Sequence, residues 1–281
     1  MDKSARPNPK PLRLALALGG GGARGLAHIA VLEALEALNI QPVAIAGTSI
    51  GAIIGAAYAA GFSAAEIKRH VLACFRDRTE VLTRLFRARV GTFADLVRRG
   101  GNPVLVDGEL VLSAFWPAPM PETFSGLKIP FFAVSADFYA RERVAISDGP
   151  LLFAVAASMA IPGLVKPVER DGRILIDGGV MDPLPFDVVA DLADVIIAID
   201  VTGGPTLKAA PPGPIEATVG AAQIMQSAII AARLAHHASR IHILRPDVDN
   251  FAVLDFFAAK RILSAAEPIK LQMSSLLALN D

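Results

Sequence analysis

The sequence predicts an α/β fold built on a mostly parallel central sheet. Short apolar runs that read as strands alternate along the chain with segments of helical length and periodicity. Two of those runs open directly into glycine-rich turns, Gly19 to Gly25 and Gly47 to Gly51. A third, Val195 to Val201, is of the near-continuous apolar kind that suits a strand in a parallel sheet covered on both faces.

In chain order, Leu12 to Leu18 is the first strand and enters the glycine run. A helix follows from about Leu26 to Leu38, with Leu32 and Leu35 on one face beside His28 while Glu33 leans away, as in a helix that covers a sheet. Val43 to Ala46 reads as a buried strand, and Gly47-Thr48-Ser49-Ile50-Gly51 turns it into a helix of small residues. No charged residue occurs from Asn39 to Ala65, which is long enough to raise a transmembrane helix. Pro42, the glycines and hydroxyls in the middle, and the lack of a basic flank favour a buried strand and helix instead. Ser63 is placed to cap a helix that runs to about Cys74.

Residues 76–101 differ in character. Seven arginines (76, 78, 84, 87, 89, 98, 99) face only Asp77, Glu80 and Asp95, with Val81, Leu82, Leu85 and Phe86 interleaved. The pattern suits a solvated helix with an ordinary buried stripe, or an amphipathic lid or peripheral membrane contact over 76–99. Further on, Ile129 to Ala136, Arg143 to Ile146, Arg173 to Ile176 and Ile241 to Leu244 read as strands. Leu151 to Ser158, 215–238 and 253–279 read as helical, and 203–214 as a loop.

The 281 residues give ample chain for a core, and no repeat or low-complexity linker divides them. The expectation is a flexible tail over 1–11 and one domain over 12–281. Lys+Arg and Asp+Glu both total 27, so no global field recruits nucleic acid. The single Cys74 excludes an internal disulfide, and residues 1–11 are polar and proline-rich rather than leader-like. A cytoplasmic protein, peripheral to membranes at most, is expected. The mean hydropathy of +0.48 points to large buried layers, an apolar substrate surface, or both.

The glycine loop has two readings. Gly20-x-Gly22-x-x-Gly25 satisfies the dinucleotide-binding pattern, but that pattern wants an acidic residue about twenty positions on, and there is none between Glu36 and Glu66. The other reading pairs the loop with Ser49. Gly47-x-Ser49-x-Gly51 is the arrangement in which a strand turns sharply into a helix and presents a strained serine, and consecutive glycine amides can converge on an oxyanion. A serine nucleophile needs a base. A Ser-Asp-His order ending at His236, His237 or His242 is one option. Asp177 is the other, because it follows the strand 173–176 and so stands at a strand's carboxyl end, where open α/β sheets place their sites. Asp177-Gly-Gly also has the composition of a plain turn.

In four blocks the chain closely resembles the patatin-like phospholipase family in its compact bacterial form. The blocks are Gly20-Gly-Gly-Ala-Arg-Gly25, Gly47-Thr-Ser-Ile-Gly51, Ala157-Ser-Met-Ala-Ile-Pro-Gly163 with Pro167, and Asp177-Gly-Gly179 with Pro183-Leu-Pro185. They span about residues 12–200. The resemblance implies a three-layer α/β/α sandwich and a hydrolase of lipid carboxylic esters that works with a Ser–Asp dyad. It implies Ser49 as nucleophile, Asp177 as base, and an oxyanion hole from Gly21 and Gly22 with Gly20 and Ala23 beside them. Arg24 and Gly25 would shape the loop, and Gly47 and Gly51 the elbow. No cofactor or metal is implied, and the partner is a lipid or acyl-ester substrate. The remaining alternatives are a soluble esterase or thioesterase for short acyl groups, and a non-catalytic membrane-associated module.

Overall fold

The computed structural model describes residues 12–89, 106–204, 211–236 and 240–278. The expected tail at 1–11, the 90–99 portion of the arginine-rich stretch, residues 205–210 of the 203–214 loop and His237 lie outside the described residues. Within them the chain forms β1 (Leu14–Leu18), α1 (His28–Ala37), β2 (Ala44–Thr48), α2 (Ile50–Ala59), α3 (Ala64–Cys74), α4 (Arg78–Arg87) and α5 (Gly108–Phe115). There follow β3 (Phe131–Asp137), β4 (Glu142–Ile146), α6 (Leu151–Ser158), β5 (Val168–Arg170), β6 (Arg173–Asp177) and β7 (Val195–Ile199). The last elements are α7 (Pro214–Ala235), β8 (Ile241–Leu244), α8 (Ala259–Ala266) and α9 (Ile269–Ala278).

The strands make one sheet of order β5-β6-β3-β2-β1-β7-β8, with β4 paired to β3. Strands β3, β2, β1, β7 and β8 are parallel to their neighbours, while β4, β5 and β6 are antiparallel additions around β3. Helices cover both faces, so the expected three-layer α/β/α sandwich is what the chain adopts. The strand β1 shows how the sequence builds it. Its Leu-Ala alternation sends Leu14, Leu16 and Leu18 into the larger core, with α1, α2, α6, α8 and α9. Ala15 and Ala17 face the thinner core, made by Phe186 and Val189 of a short helical turn and Ile230 of α7.

Two boundaries follow local chemistry. At α3 the Ser63 hydroxyl accepts the Glu66 N–H while the Glu66 carboxylate accepts the Ser63 N–H at 2.8 Å, a reciprocal cap that stabilises by about 1 kcal/mol. Before α1, residues Gly22–Ala27 form a 3-10 turn where the sequence suggested that the helix begins at Leu26. The glycines there have little helical preference and the segment is held by tertiary contacts instead. The C-terminal helical stretch is divided at Pro268, which lacks the N–H needed to continue α8.

His28 opens α1 with no solvent exposure, and its Nε2 donates to the Gly19 carbonyl at 2.9 Å. Burial pushes its pKa down to about 4, with the Gly19 bond and Asp200 opposing. The folded state therefore holds neutral imidazole while the unfolded chain takes up a proton at its ordinary pKa of 6.5. The stability from this group is complete above about pH 6.5 and is lost as pH falls towards about 4, by roughly 3 kcal/mol at most. Urea unfolding of wild type and His28→Gln across that window should show the acid-side decline in wild type and a flatter profile in the variant.

Candidate active site

Ser49 sits between β2 and α2 with φ 55° and ψ −120°, a left-handed conformation costing a non-glycine residue about 1–3 kcal/mol. The turn is possible because Gly47 and Gly51 let the chain pass close. A Cβ on Gly47 would lie 2.5 Å from the Gly51 carbonyl oxygen, and one on Gly51 would lie 2.1 Å from that of Leu18. The serine is 7% exposed, so the strain is maintained by packing on every side.

Asp177 reaches Ser49 by an unexpected route. The strand β3 pairs with β2 up to Thr48–Val134 and with β6 from Ser135–Asp177 onward. Strand β4 occupies the opposite edge of β3 over Ala133 to Asp137, so β2 and β6 share one edge and meet end to end. Asp177 is the last residue of its strand, one position beyond the 173–176 strand expected from the sequence, and that strand runs antiparallel to β3. Head-on abutment of β2 and β6, not a shared carboxyl edge, brings Asp177 to the serine.

The Ser49 side chain acts on the Asp177 carboxylate, favouring its charged form. Gly179 N–H donates to Asp177 Oδ1 at 2.7 Å. Burial nonetheless dominates and raises the Asp177 pKa to about 6, the Ser49 side chain and the Gly179 N–H opposing it. Among the described residues no histidine is hydrogen-bonded to Ser49: the Nε2 of His28 binds Gly19, that of His70 binds the Phe115 carbonyl at 2.7 Å, and His242 lies in β8 opposite Ile197.

The glycine loop leaves β1 beside the elbow, since β1 and β2 are paired neighbours with Leu18 opposite Gly47. Its amides divide into two groups. Gly20 N–H donates to the Pro183 carbonyl at 2.9 Å and Ala23 N–H to that of Val253 at 2.7 Å, so both are spent on the scaffold. The N–H groups of Gly21 and Gly22 meet no acceptor among the described residues. Of the four amides expected around an oxyanion, these two are free to serve. Arg24 is turned away and donates to the carbonyls of Thr202, Phe251 and Asp249 at 2.7, 2.7 and 3.1 Å, tying the loop to the C-terminal third of the chain. Gly25 admits Ile50: a Cβ there would lie 2.2 Å from Ile50 Cγ2.

Three residues with no role read from the sequence complete the frame. Ser158 Oγ accepts the Ser49 N–H at 3.0 Å, and the Ala160 carbonyl accepts the Asp177 N–H at 2.9 Å. One segment, inside the Ala157–Gly163 block, therefore braces both members of the pair. Thr48 Oγ1 donates to the Asp182 carbonyl at 2.8 Å. The buried Asp182 carboxylate pairs with Arg143 at 2.8 Å and Arg233 at 3.4 Å, which anchors the strand-to-helix connection after Asp177. The recurrence of Ser and Ala beside Pro162-Gly163 was visible in the sequence, but nothing in it said which backbone groups they would meet.

Residues 16–190 match the family model described as patatin-like phospholipase. An uncharacterised NTE family protein of Mycobacterium tuberculosis is 39% identical over 203 residues, which is 71% of this chain and 52% of that protein. The human patatin-like phospholipase domain-containing protein 6 is 35% identical over 193 residues, 67% of this chain and 13% of that protein. The chain thus spans about half the length of the mycobacterial relatives and far less of the human one. The crystal structure of VipD from Legionella pneumophila aligns with 94% of this chain and 67% of its own at 14% identity and a TM-score of 0.48. With the family model covering well over half of its length, and with the matched segment holding the glycine loop, the serine elbow and Asp177, the chain belongs to the patatin-like phospholipase family.

Proposed function

We propose that the protein is a serine acyl hydrolase that cleaves carboxylic ester bonds of phospholipids or related lipids, with Ser49 as nucleophile and Asp177 as base. The observation that carries this reading is a strained, buried serine brought by the meeting ends of β2 and β6 to a buried carboxylate of raised pKa, beside two unengaged glycine amides. Ser49 Oγ attacks the acyl carbonyl and its proton passes to Asp177. The oxyanion is held by Gly21 and Gly22 N–H. As the intermediate collapses, the C–O bond to the alcohol breaks and Asp177 returns the proton to the leaving oxygen. Water then attacks the acyl-serine with Asp177 again as base, and the fatty acid and free Ser49 are released.

Residues 76–99 are taken as a peripheral membrane contact, of which α4 is the described part. Leu82 and Phe86 are 61% and 69% exposed one turn apart, with Arg78, Arg87 and Arg89 around them. No helix among the described residues is long and apolar enough to cross a membrane.

Three outcomes are expected. A fluorophosphonate should add once to the wild-type chain and not to Ser49→Ala, as read by intact mass; labelling that persists in the variant would sink the assignment. Because the base must be ionised, kcat/KM should rise with pH through about 6 and level off above it, and Asp177→Asn should lower it by about 10²- to 10⁴-fold. Leu82→Glu combined with Phe86→Glu should lower the ratio of turnover on anionic vesicles to turnover on a dispersed short-chain ester.

A further inference from the structure

We propose that Ser158 is the positioning residue of the nucleophile, its hydroxyl inserted into the sheet rung that would otherwise tie Ser49 to β3. The proposal rests on Ser49 being the nucleophile. The ladder itself makes the case. Between parallel β2 and β3, Ile45 stands opposite Phe131 and donates its N–H to the Pro130 carbonyl at 2.9 Å. Rungs of a parallel pair recur every two residues on each strand. The donors on β2 are therefore Ile45, Gly47 and then Ser49, and the acceptor due to Ser49 is the Val134 carbonyl.

That bond is replaced by a relay. Ser49 N–H donates to Ser158 Oγ at 3.0 Å, and the Ser158 hydroxyl donates to the Val134 oxygen at 2.6 Å. Both backbone groups stay satisfied, as buried ones must, but they stand a hydroxyl's width apart. Ser49 is thereby lifted off the sheet at the residue where its φ becomes positive. The same carbonyl marks the point where β6 ends, since a Cβ on Gly178 would lie 2.1 Å from the Val134 oxygen. The inserted hydroxyl keeps the two strand ends apart, Ser49 at one and Asp177 at the other. Ser158 is fully buried in the last turn of α6, so its position is set by the helix and not by solvent.

The test compares Ser158→Ala, Ser158→Cys and Ser158→Thr in the full chain. Each is read by the second-order rate of fluorophosphonate addition to Ser49, by kcat and KM on a dispersed ester, and by cooperative thermal unfolding. Loss of the hydroxyl in the alanine and cysteine variants should slow labelling and lower kcat together by about 10- to 100-fold, because the oxygen nucleophile is displaced. KM should stay within about threefold, since binding of the ester does not pass through this bond. Threonine retains the hydroxyl and should keep labelling within about fivefold of wild type. If the alanine variant does not unfold cooperatively, the cysteine–threonine contrast carries the same comparison. A folded hydroxyl-free variant that labels at the wild-type rate overturns the proposal, and so does a threonine variant as slow as the cysteine one. A wild-type chain that takes no label on Ser49 overturns the nucleophile assignment with it, whereas a labelled wild type with indifferent variants overturns only the role of Ser158.

Discussion

The structure depends on one edge of β3 being shared by two strands that run at each other. Strand β2 ends against Val134 and β6 ends against Ser135, so two residues far apart in sequence are brought together by one step along a third strand. A sheet specifies position along a strand by the ladder itself, because a slip of one residue would turn every side chain to the wrong face. The relative placement of Ser49 and Asp177 is therefore fixed by backbone pairing within a buried core, with no flexible loop between them. That is a rigid way to hold two side chains in contact.

The arrangement carries two unfavourable terms. Ser49 is held at positive φ, and Asp177 is held as a carboxyl group away from water. Both are supported by the same short stretch of chain, since Ser158 takes the Ser49 amide and the Ala160 carbonyl takes the Asp177 amide. The Gly179 N–H and the Ser49 hydroxyl stabilise the carboxylate, though less than burial destabilises it, and its pKa settles near 6. A carboxylate that strongly preferred its charge would be a feeble base. One wholly stripped of partners would remain protonated at neutral pH, so the intermediate position is the useful one.

Much of this was legible in the residues. The glycine spacing around Ser49 can serve few purposes, the apolar run before Gly19 reads as the first strand, and Ser63 announces the start of α3. The short segments were harder. Strand β5 has three residues, too few for periodicity to speak, and it forms because it pairs with β6. Strand direction was out of reach for a related reason. A short strand such as Arg173–Asp177, three apolar residues between two charged ones, pairs equally well either way, and only the connection through α6 and β5 decides which way it runs. The spent amides of Gly20 and Ala23 were illegible too, because their acceptors on Pro183 and Val253 are distant in sequence.

Those distant acceptors bear on where the functional unit ends. The family model stops at residue 190, yet the glycine loop is held in place by residues beyond it. Val253 accepts the Ala23 N–H, and its carbonyl oxygen lies only 2.2 Å from where a Cβ on Gly22 would stand. Arg24 spans three carbonyls between Thr202 and Phe251, a buried guanidinium that donates to backbone through each of its three nitrogens. Taking those partners away would leave a charge in an apolar setting and an amide without an acceptor, and each would cost about 1–3 kcal/mol or more. The loop would relax, and with it the convergence of the Gly21 and Gly22 amides. The last third of the chain, which shares no motif with the first, is therefore part of the site's scaffold.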